Sequence, residues 1–144
     1  YELDTKPMDF RTTSWQDSGR IQVSKAPLIK QEECQWAIDE VERWAAKNGG
    51  WTSARHAAHP TTDLPVKEVP KLLEWFNEKL ETTLFPMLAR RYPDKIKGVE
   101  DIRVHDAFIV KYDAEGQPEL NVHVDESAFS FTIALNNRDQ YEGG

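Results

Sequence analysis

A histidine and an aspartate lie two positions apart near the end of the chain, His123 and Asp125, in the stretch LNVHVDESAFSFTIALNN. The rest of this stretch has the composition of a half-buried β-strand. Successive side chains of a strand point to opposite faces, so the pair would share one face, opposite Val122 and Val124. An imidazole and a carboxylate on one face can bind a single metal ion. The pair therefore predicts either a metal site or a solvated strand face.

Three other histidines were considered as metal ligands. His105 lies on a predicted strand with Tyr112, at odd parity, so it faces away from Tyr112 unless a bulge intervenes. His56 and His59 are three residues apart, a spacing that suits a metal site on a helix. Their loop, WTSARHAAHPTTDLPV, is rich in turn formers, and Pro60 disfavours a regular helix. The sequence therefore assigns none of the three as a ligand.

The composition is that of a globular protein. The 144 residues suffice for one domain with a core, and 39% are hydrophobic and 30% charged. A net charge of −7 excludes the basic surface that nucleic acid requires, and no apolar run reaches membrane-spanning length. The single Cys34 excludes an internal disulfide framework and favours the cytoplasm. The start at Tyr1 allows a removed signal peptide, so the ER lumen is the alternative. The oligomeric state is left open.

The pattern along the chain predicts helices first and strands afterwards, in one domain over residues 1–144. Residues 1–19 lack periodicity and predict an irregular arm, whereas residues 20–95 predict a strand and two supporting helices. The first helix covers QEECQWAIDEVERWAAKN and ends at Gly49 and Gly50. The second begins near Pro70, and Pro86 is expected to kink or interrupt it.

Residues 100–144 change to the alternating pattern of strands. Strands are predicted at 102–112, 119–125 and 128–136, joined by short connections. Helices followed by consecutive strands predict an α+β fold, in which N-terminal helices support an antiparallel sheet or barrel.

The segment FIVKYDAEGQPELNVHVDESAFSFTIALNNRDQYEGG resembles the iron(II)- and 2-oxoglutarate-dependent dioxygenases of the prolyl and lysyl hydroxylase group. The shared pattern is a hydrophobic strand ending in tyrosine, a short loop, H-x-D, serine, an apolar strand ending in LN, and GG. The local match is strongest to the procollagen lysyl hydroxylase catalytic domain, through VKY and IALNN. The resemblance covers about residues 21–144 and is dense over 108–144.

The resemblance implies a double-stranded β-helix, or jelly roll, and a hydroxylase of an aliphatic side chain, a prolyl or lysyl residue in a peptide or protein. It implies Fe(II), 2-oxoglutarate and O2 as cofactors or cosubstrates, with ascorbate as a further candidate. His123 and Asp125 would be two of three ligands of a facial triad. The Tyr112 hydroxyl would hydrogen-bond 2-oxoglutarate, and the cosubstrate would be converted to succinate and CO2 as the C–H bond is hydroxylated.

Two functional groups of the family pattern are expected beyond Gly144: the distal histidine ligand, and an arginine or lysine that pairs with 2-oxoglutarate. The last strands of the jelly roll are expected there too. Two alternatives stay open: a non-catalytic binding module that retains the fold, and another metal-dependent jelly-roll enzyme that uses H-x-D without 2-oxoglutarate. Arg55 and Asp63 are polar loop residues near the expected substrate entrance, and Cys34 is assigned to the buried face of the first helix.

Overall fold

The computed structural model describes Leu3–Asp4 and residues 23–142, and the chain divides into two compact units, residues 1–30 and 31–144. In the first unit, strand β1 (Leu3–Asp4) pairs antiparallel with strand β2 (Val23–Ser24). The irregular arm predicted for residues 1–19 lies outside the described residues, apart from β1.

The second unit begins with helix α1 (Gln31–Lys47), which confirms the first predicted helix. Its apolar positions recur at intervals of three and four residues, so they form one buried face: Cys34, Ala37, Val41 and Ala45. The helix ends before Gly49 and Gly50, whose φ angles of 94° and 91° are left-handed. Glycine adopts this conformation without the steric penalty of a Cβ, which explains the stop signal in the sequence.

The second predicted helix is one continuous helical run with a widened turn. Helix α2 (Pro70–Lys79) leads into a π-helical turn (Leu80–Leu84) and then helix α3 (Phe85–Arg91). Pro86 lacks an N–H and its ring collides with the carbonyl four residues earlier, so a regular helix cannot pass through it. The Phe85 N–H instead bonds the Leu80 carbonyl, five residues back. The predicted interruption is thereby confirmed, in the turn that precedes the proline.

The apolar face of this run forms the core with α1. Its buried residues follow helical spacing: Val69, Leu72, Phe76, Leu80, Leu84 and Leu88. Among the described residues, no helix has the length and apolar character needed to cross a membrane.

A two-stranded antiparallel sheet lies beside the helices in this unit. Strand β3 (Asp63–Pro65) pairs with strand β4 (Phe108–Val110), with Leu64 opposite Ile109. Thr52 extends the pairing by one bridge to Asp63. Short 3-10 turns occur at Val66–Glu68, Val99–Asp101 and Arg138–Gln140.

The structure contains fewer strand residues than the sequence predicts. The predicted strand 102–112 is restricted to β4, and the described residues 111–142 contain no strand, so the strands predicted at 119–125 and 128–136 are not observed. A strand requires a hydrogen-bonded neighbour, and β3 is the one neighbour that β4 has here. Val122 and Val124 are consequently 80% and 78% exposed. The jelly roll itself stays a prediction.

Candidate metal centre

His123 and Asp125 lie side by side in the segment that follows β4. His123 Nε2 is 3.3 Å from Asp125 Oδ1. Two ligand atoms at right angles around one ion, with bonds of about 2.1 Å, lie about 3.0 Å apart. The observed separation is therefore compatible with two neighbouring positions on a single metal ion. Their assignment as iron ligands stays a prediction.

The other nitrogen of His123 is held by the backbone. His123 Nδ1 lies 2.9 Å from the carbonyl oxygen of Asn121. A carbonyl oxygen only accepts hydrogen bonds, so this contact places a proton on Nδ1. In the neutral ring Nε2 then carries the lone pair, and Nε2 is the atom that faces Asp125. Backbone carbonyls orient metal-binding histidines in this way in metalloproteins.

The pair is open to solvent. The side chains of His123 and Asp125 are 31% and 54% exposed. A contact this exposed contributes little to stability, since even a fully charged exposed pair typically contributes about 0–1 kcal/mol. The two side chains are therefore accessible to an ion, a small molecule or a peptide.

The loop of residues 52–62 folds back onto this segment and brings a second histidine to it. The rings of His59 and His123 have centroids 5.2 Å apart and planes inclined by 31°. Gln117 connects the two segments, since its Nε2 donates to the Pro60 carbonyl at 2.8 Å and its Oε1 accepts from the Thr62 N–H. The sequence carries no signal of this contact, because Gln117 and Pro60 lie 57 positions apart and their hydrogen bond produces no periodicity.

The described residues nevertheless do not complete a metal site. They contain no group of three or more His, Cys, Asp or Glu side chains that could hold an ion. His56 packs its ring 5.0 Å from that of Phe108, and His105 is an exposed residue before β4. Tyr112, two residues after β4, is 52% exposed. The residues present thus fit two positions on an iron ion, with the third ligand unassigned.

Arg55 and Asp63 belong to a buried ion-pair cluster. Asp63 on β3 has no solvent exposure and accepts hydrogen bonds from Arg55 Nη1 at 2.5 Å and from the Thr61 hydroxyl. Arg55 also donates to Asp106 at 2.9 Å. Partial burial acts to lower the pKa of Arg55, but Asp63 and Asp106 outweigh it and the pKa is raised. The cluster fixes the loop that carries His59 to the sheet.

Comparison with known proteins finds procollagen lysine hydroxylases. The chain is 30% identical to the multifunctional procollagen lysine hydroxylase and glycosyltransferase LH3 of Rattus norvegicus, and 30% identical to the Homo sapiens protein of the same name. It is also 30% identical to procollagen-lysine,2-oxoglutarate 5-dioxygenase 1 of Homo sapiens. Each match covers 82% of this chain. The chain is similar to lysine hydroxylases, in line with the resemblance drawn from its motifs.

The likeness concerns a small part of those relatives. The chain spans 16% of the length of each of the three proteins. No model of a protein family matches the chain, and no solved structure matches it.

Proposed function

We propose that this chain supplies two iron ligands, His123 and Asp125, to an Fe(II)- and 2-oxoglutarate-dependent dioxygenase that hydroxylates a side chain of a peptide or protein. The observation that carries the proposal is the orientation of His123, whose Nδ1 is tied to the Asn121 carbonyl and whose Nε2 lies 3.3 Å from Asp125. The curated relatives, named as procollagen-lysine hydroxylases and 2-oxoglutarate 5-dioxygenases, support this chemistry and favour a lysyl over a prolyl target.

Each residue has a defined role in this proposal. The Asn121 carbonyl keeps the proton on His123 Nδ1, so Nε2 is available as a ligand beside the Asp125 carboxylate. The exposed Tyr112 hydroxyl would donate a hydrogen bond to 2-oxoglutarate. Iron, when bound with 2-oxoglutarate and O2, supplies the oxidising power for C–H hydroxylation. The proposed jelly roll would hold these groups on adjacent strands, with a third ligand joining them.

The proposed substrate also bears on the compartment. The likeness to procollagen lysine hydroxylases supports the ER lumen over the cytoplasm, which the single Cys34 favours. Peptides containing lysyl or prolyl residues are accordingly the substrates to test first, with ascorbate present.

The experiment is a turnover assay on the natural full-length protein, because the described residues supply two ligands and the proposal requires a third. The protein is incubated with Fe(II), ascorbate, 2-oxoglutarate and lysyl or prolyl peptides, and succinate release is measured alongside the gain of one oxygen atom by the peptide. We expect His123→Ala and Asp125→Ala each to abolish both products. His105→Ala and Asp139→Ala are matched controls, because both residues are exposed and outside the proposed site. Equal loss of activity in variants and controls would contradict the assignment.

A binding module is the second candidate, and one observation favours it. The described residues contain no complete three-ligand group. A module would bind a peptide with an affinity that neither added Fe(II) nor His123→Ala changes, and would release no succinate with any peptide. The same assay, run together with a peptide-binding measurement, separates the two functions.

A further inference from the structure

An open groove of about 480 Å³ lies between α1 and α2, and two tryptophans line it. The ring centroids of Trp36 on α1 and Trp75 on α2 are 6.0 Å apart, with planes inclined by 54°. Trp36 is 37% exposed. The partly exposed ring of Trp36, next to Trp75, forms an apolar surface that gains free energy when a ligand covers it.

The orientation of Trp75 is fixed by hydrogen bonding. Its indole Nε1 donates to Glu33 Oε1 at 3.3 Å, and the same oxygen of Glu33 is paired with Lys79. The N–H of this indole is therefore occupied, which leaves its aromatic surface as the part available to a ligand. The face of an indole carries partial negative charge and attracts cations.

The charge around the groove is negative on balance. Four glutamates and Lys71 line it, and Lys79 pairs with two of these glutamates, Glu33 and Glu78. The remaining negative charge of the groove comes from Glu32 and Glu74. The glutamates are contributed by both helices: Glu32, Glu33, Glu74 and Glu78. Carboxylates around an aromatic wall attract a cationic group and repel an acidic one. The groove is therefore complementary in both surface chemistry and charge to a basic side chain.

We propose that the α1–α2 groove binds a peptide segment through a lysine or arginine side chain. The cationic head group lies against the corner formed by Trp36 and Trp75, and the exposed carboxylates of Glu32 and Glu74 flank it on opposite helices. A groove of 480 Å³ has the size of a small-ligand site, enough for one long side chain with its neighbouring backbone. The proposal uses none of the residues assigned to hydroxylation, so the two can fail independently.

The experiment is an NMR titration of the full chain labelled with nitrogen-15, at low salt. The probe is a short Gly/Ser peptide with one central lysine, and the indole N–H signals of Trp36 and Trp75 are followed. We expect both signals to move, and the same peptide with N-acetyllysine to leave them in place. Trp36→Leu keeps an apolar side chain but removes the aromatic face, so it should weaken binding about two- to fivefold.

Charge reversal separates the groove from the overall negative charge of the protein. Glu74→Lys should weaken binding about three- to tenfold. Glu115→Lys makes the same charge change at an exposed residue outside the groove and should leave the affinity unchanged.

Four results would overturn the proposal. The first two concern affinity: Glu74→Lys and Glu115→Lys weaken peptide binding equally, or the acetylated peptide binds as tightly as the lysine peptide. The third is that the indole signals do not move when the peptide is added. The fourth is that the chain self-associates and Trp36→Leu abolishes this association. The last result would identify a second copy of the chain as the occupant. Circular dichroism of each variant establishes that helix content is retained.

Discussion

Two regions of the second unit differ in almost every physical respect. The helical run from α1 to α3, strand β3 and the turns beside them contain most of the buried residues, including Leu72, Leu84 and Asp63 at 1%, 1% and 0% exposure. In the described part of residues 111–142 no side chain is buried. Yet the proposed ligands and Tyr112 all lie in that exposed segment. The residues that stabilise the fold and the residues proposed for chemistry therefore lie in different parts of this chain. Substitutions should affect stability in one part and ligand binding in the other.

The largest expected effect on stability is at the buried ion pair. Arg55→Ala leaves the Asp63 carboxylate, which has no solvent exposure, without its cationic partner, and loss of one partner of a buried pair costs about 3–5 kcal/mol. Asp125→Ala removes a carboxylate that is 54% exposed and should change stability by less than about 0.5 kcal/mol. Urea denaturation followed by circular dichroism measures both. Equal destabilisation would show that the two regions are not energetically distinct.

A core substitution gives the next largest effect. Leu84→Ala opens a cavity in the face shared by the helices and should cost about 2–5 kcal/mol. Val122→Ala removes methyl groups from a side chain that is already 80% exposed, so we expect a change below about 0.5 kcal/mol. The measurement is the shift in urea midpoint at unchanged slope. A loss of more than about 1 kcal/mol in Val122→Ala would mean that the exposed segment is packed in solution.

Substitutions in the exposed segment should change ligand binding and leave stability to denaturant unchanged. Tyr112→Phe removes one hydroxyl, and a neutral hydrogen bond contributes about 0.5–1.5 kcal/mol. The Michaelis constant for 2-oxoglutarate should therefore rise a few-fold to about tenfold, with the urea midpoint unchanged. If that constant does not move, the Tyr112 hydroxyl has no part in cosubstrate binding.

The smallest effect is expected where the two regions join. Lys111 Nζ lies 2.7 Å from Glu42 Oε1, and Trp51 donates to Glu42 Oε2 at 3.2 Å. Burial acts to raise the pKa of Glu42, but these hydrogen bonds outweigh it and the pKa is lowered. A carboxylate with a lowered pKa in the folded state stabilises the protein above its ordinary pKa of 4.5, and this stabilisation disappears as the pH falls through the folded-state value.

Lys111→Met should accordingly reduce stability at pH 6 by less than about 1 kcal/mol, since the pair is well exposed. The effect should shrink as the pH falls through the folded-state pKa of Glu42, because below it Glu42 is protonated in both folded and unfolded protein. Urea denaturation across this pH range tests the sign. An effect of Lys111→Met that grows towards low pH would contradict it.

The helical half could be predicted closely from the sequence. The spacing of Cys34, Ala37 and Val41 predicts the buried face of α1, and Pro86 predicts the interruption before α3. These features are local, because side-chain periodicity and the missing proline N–H act within a few residues.

The strands and the surroundings of His123 could be predicted only in part. The alternation at 119–125 and 128–136 indicates a strand face but does not supply the partner that a ladder needs. The adjacency of His123 and Asp125 follows from a spacing of two residues. The approach of His59 depends on Gln117, which bonds a loop 57 residues earlier in the chain, and spacing carries no information about it.

Anaerobic titration calorimetry of Fe(II) into the natural full-length protein tests the central claim most directly, that His123 and Asp125 are ligands. An imidazolium–aspartate ion pair would have the same 3.3 Å geometry, so affinity for the metal is the deciding quantity. We predict that His123→Ala and Asp125→Ala each abolish Fe(II) binding while their urea midpoints stay within error of the unsubstituted protein, and that His105→Ala binds normally. Unchanged iron affinity in either His123→Ala or Asp125→Ala would contradict the account.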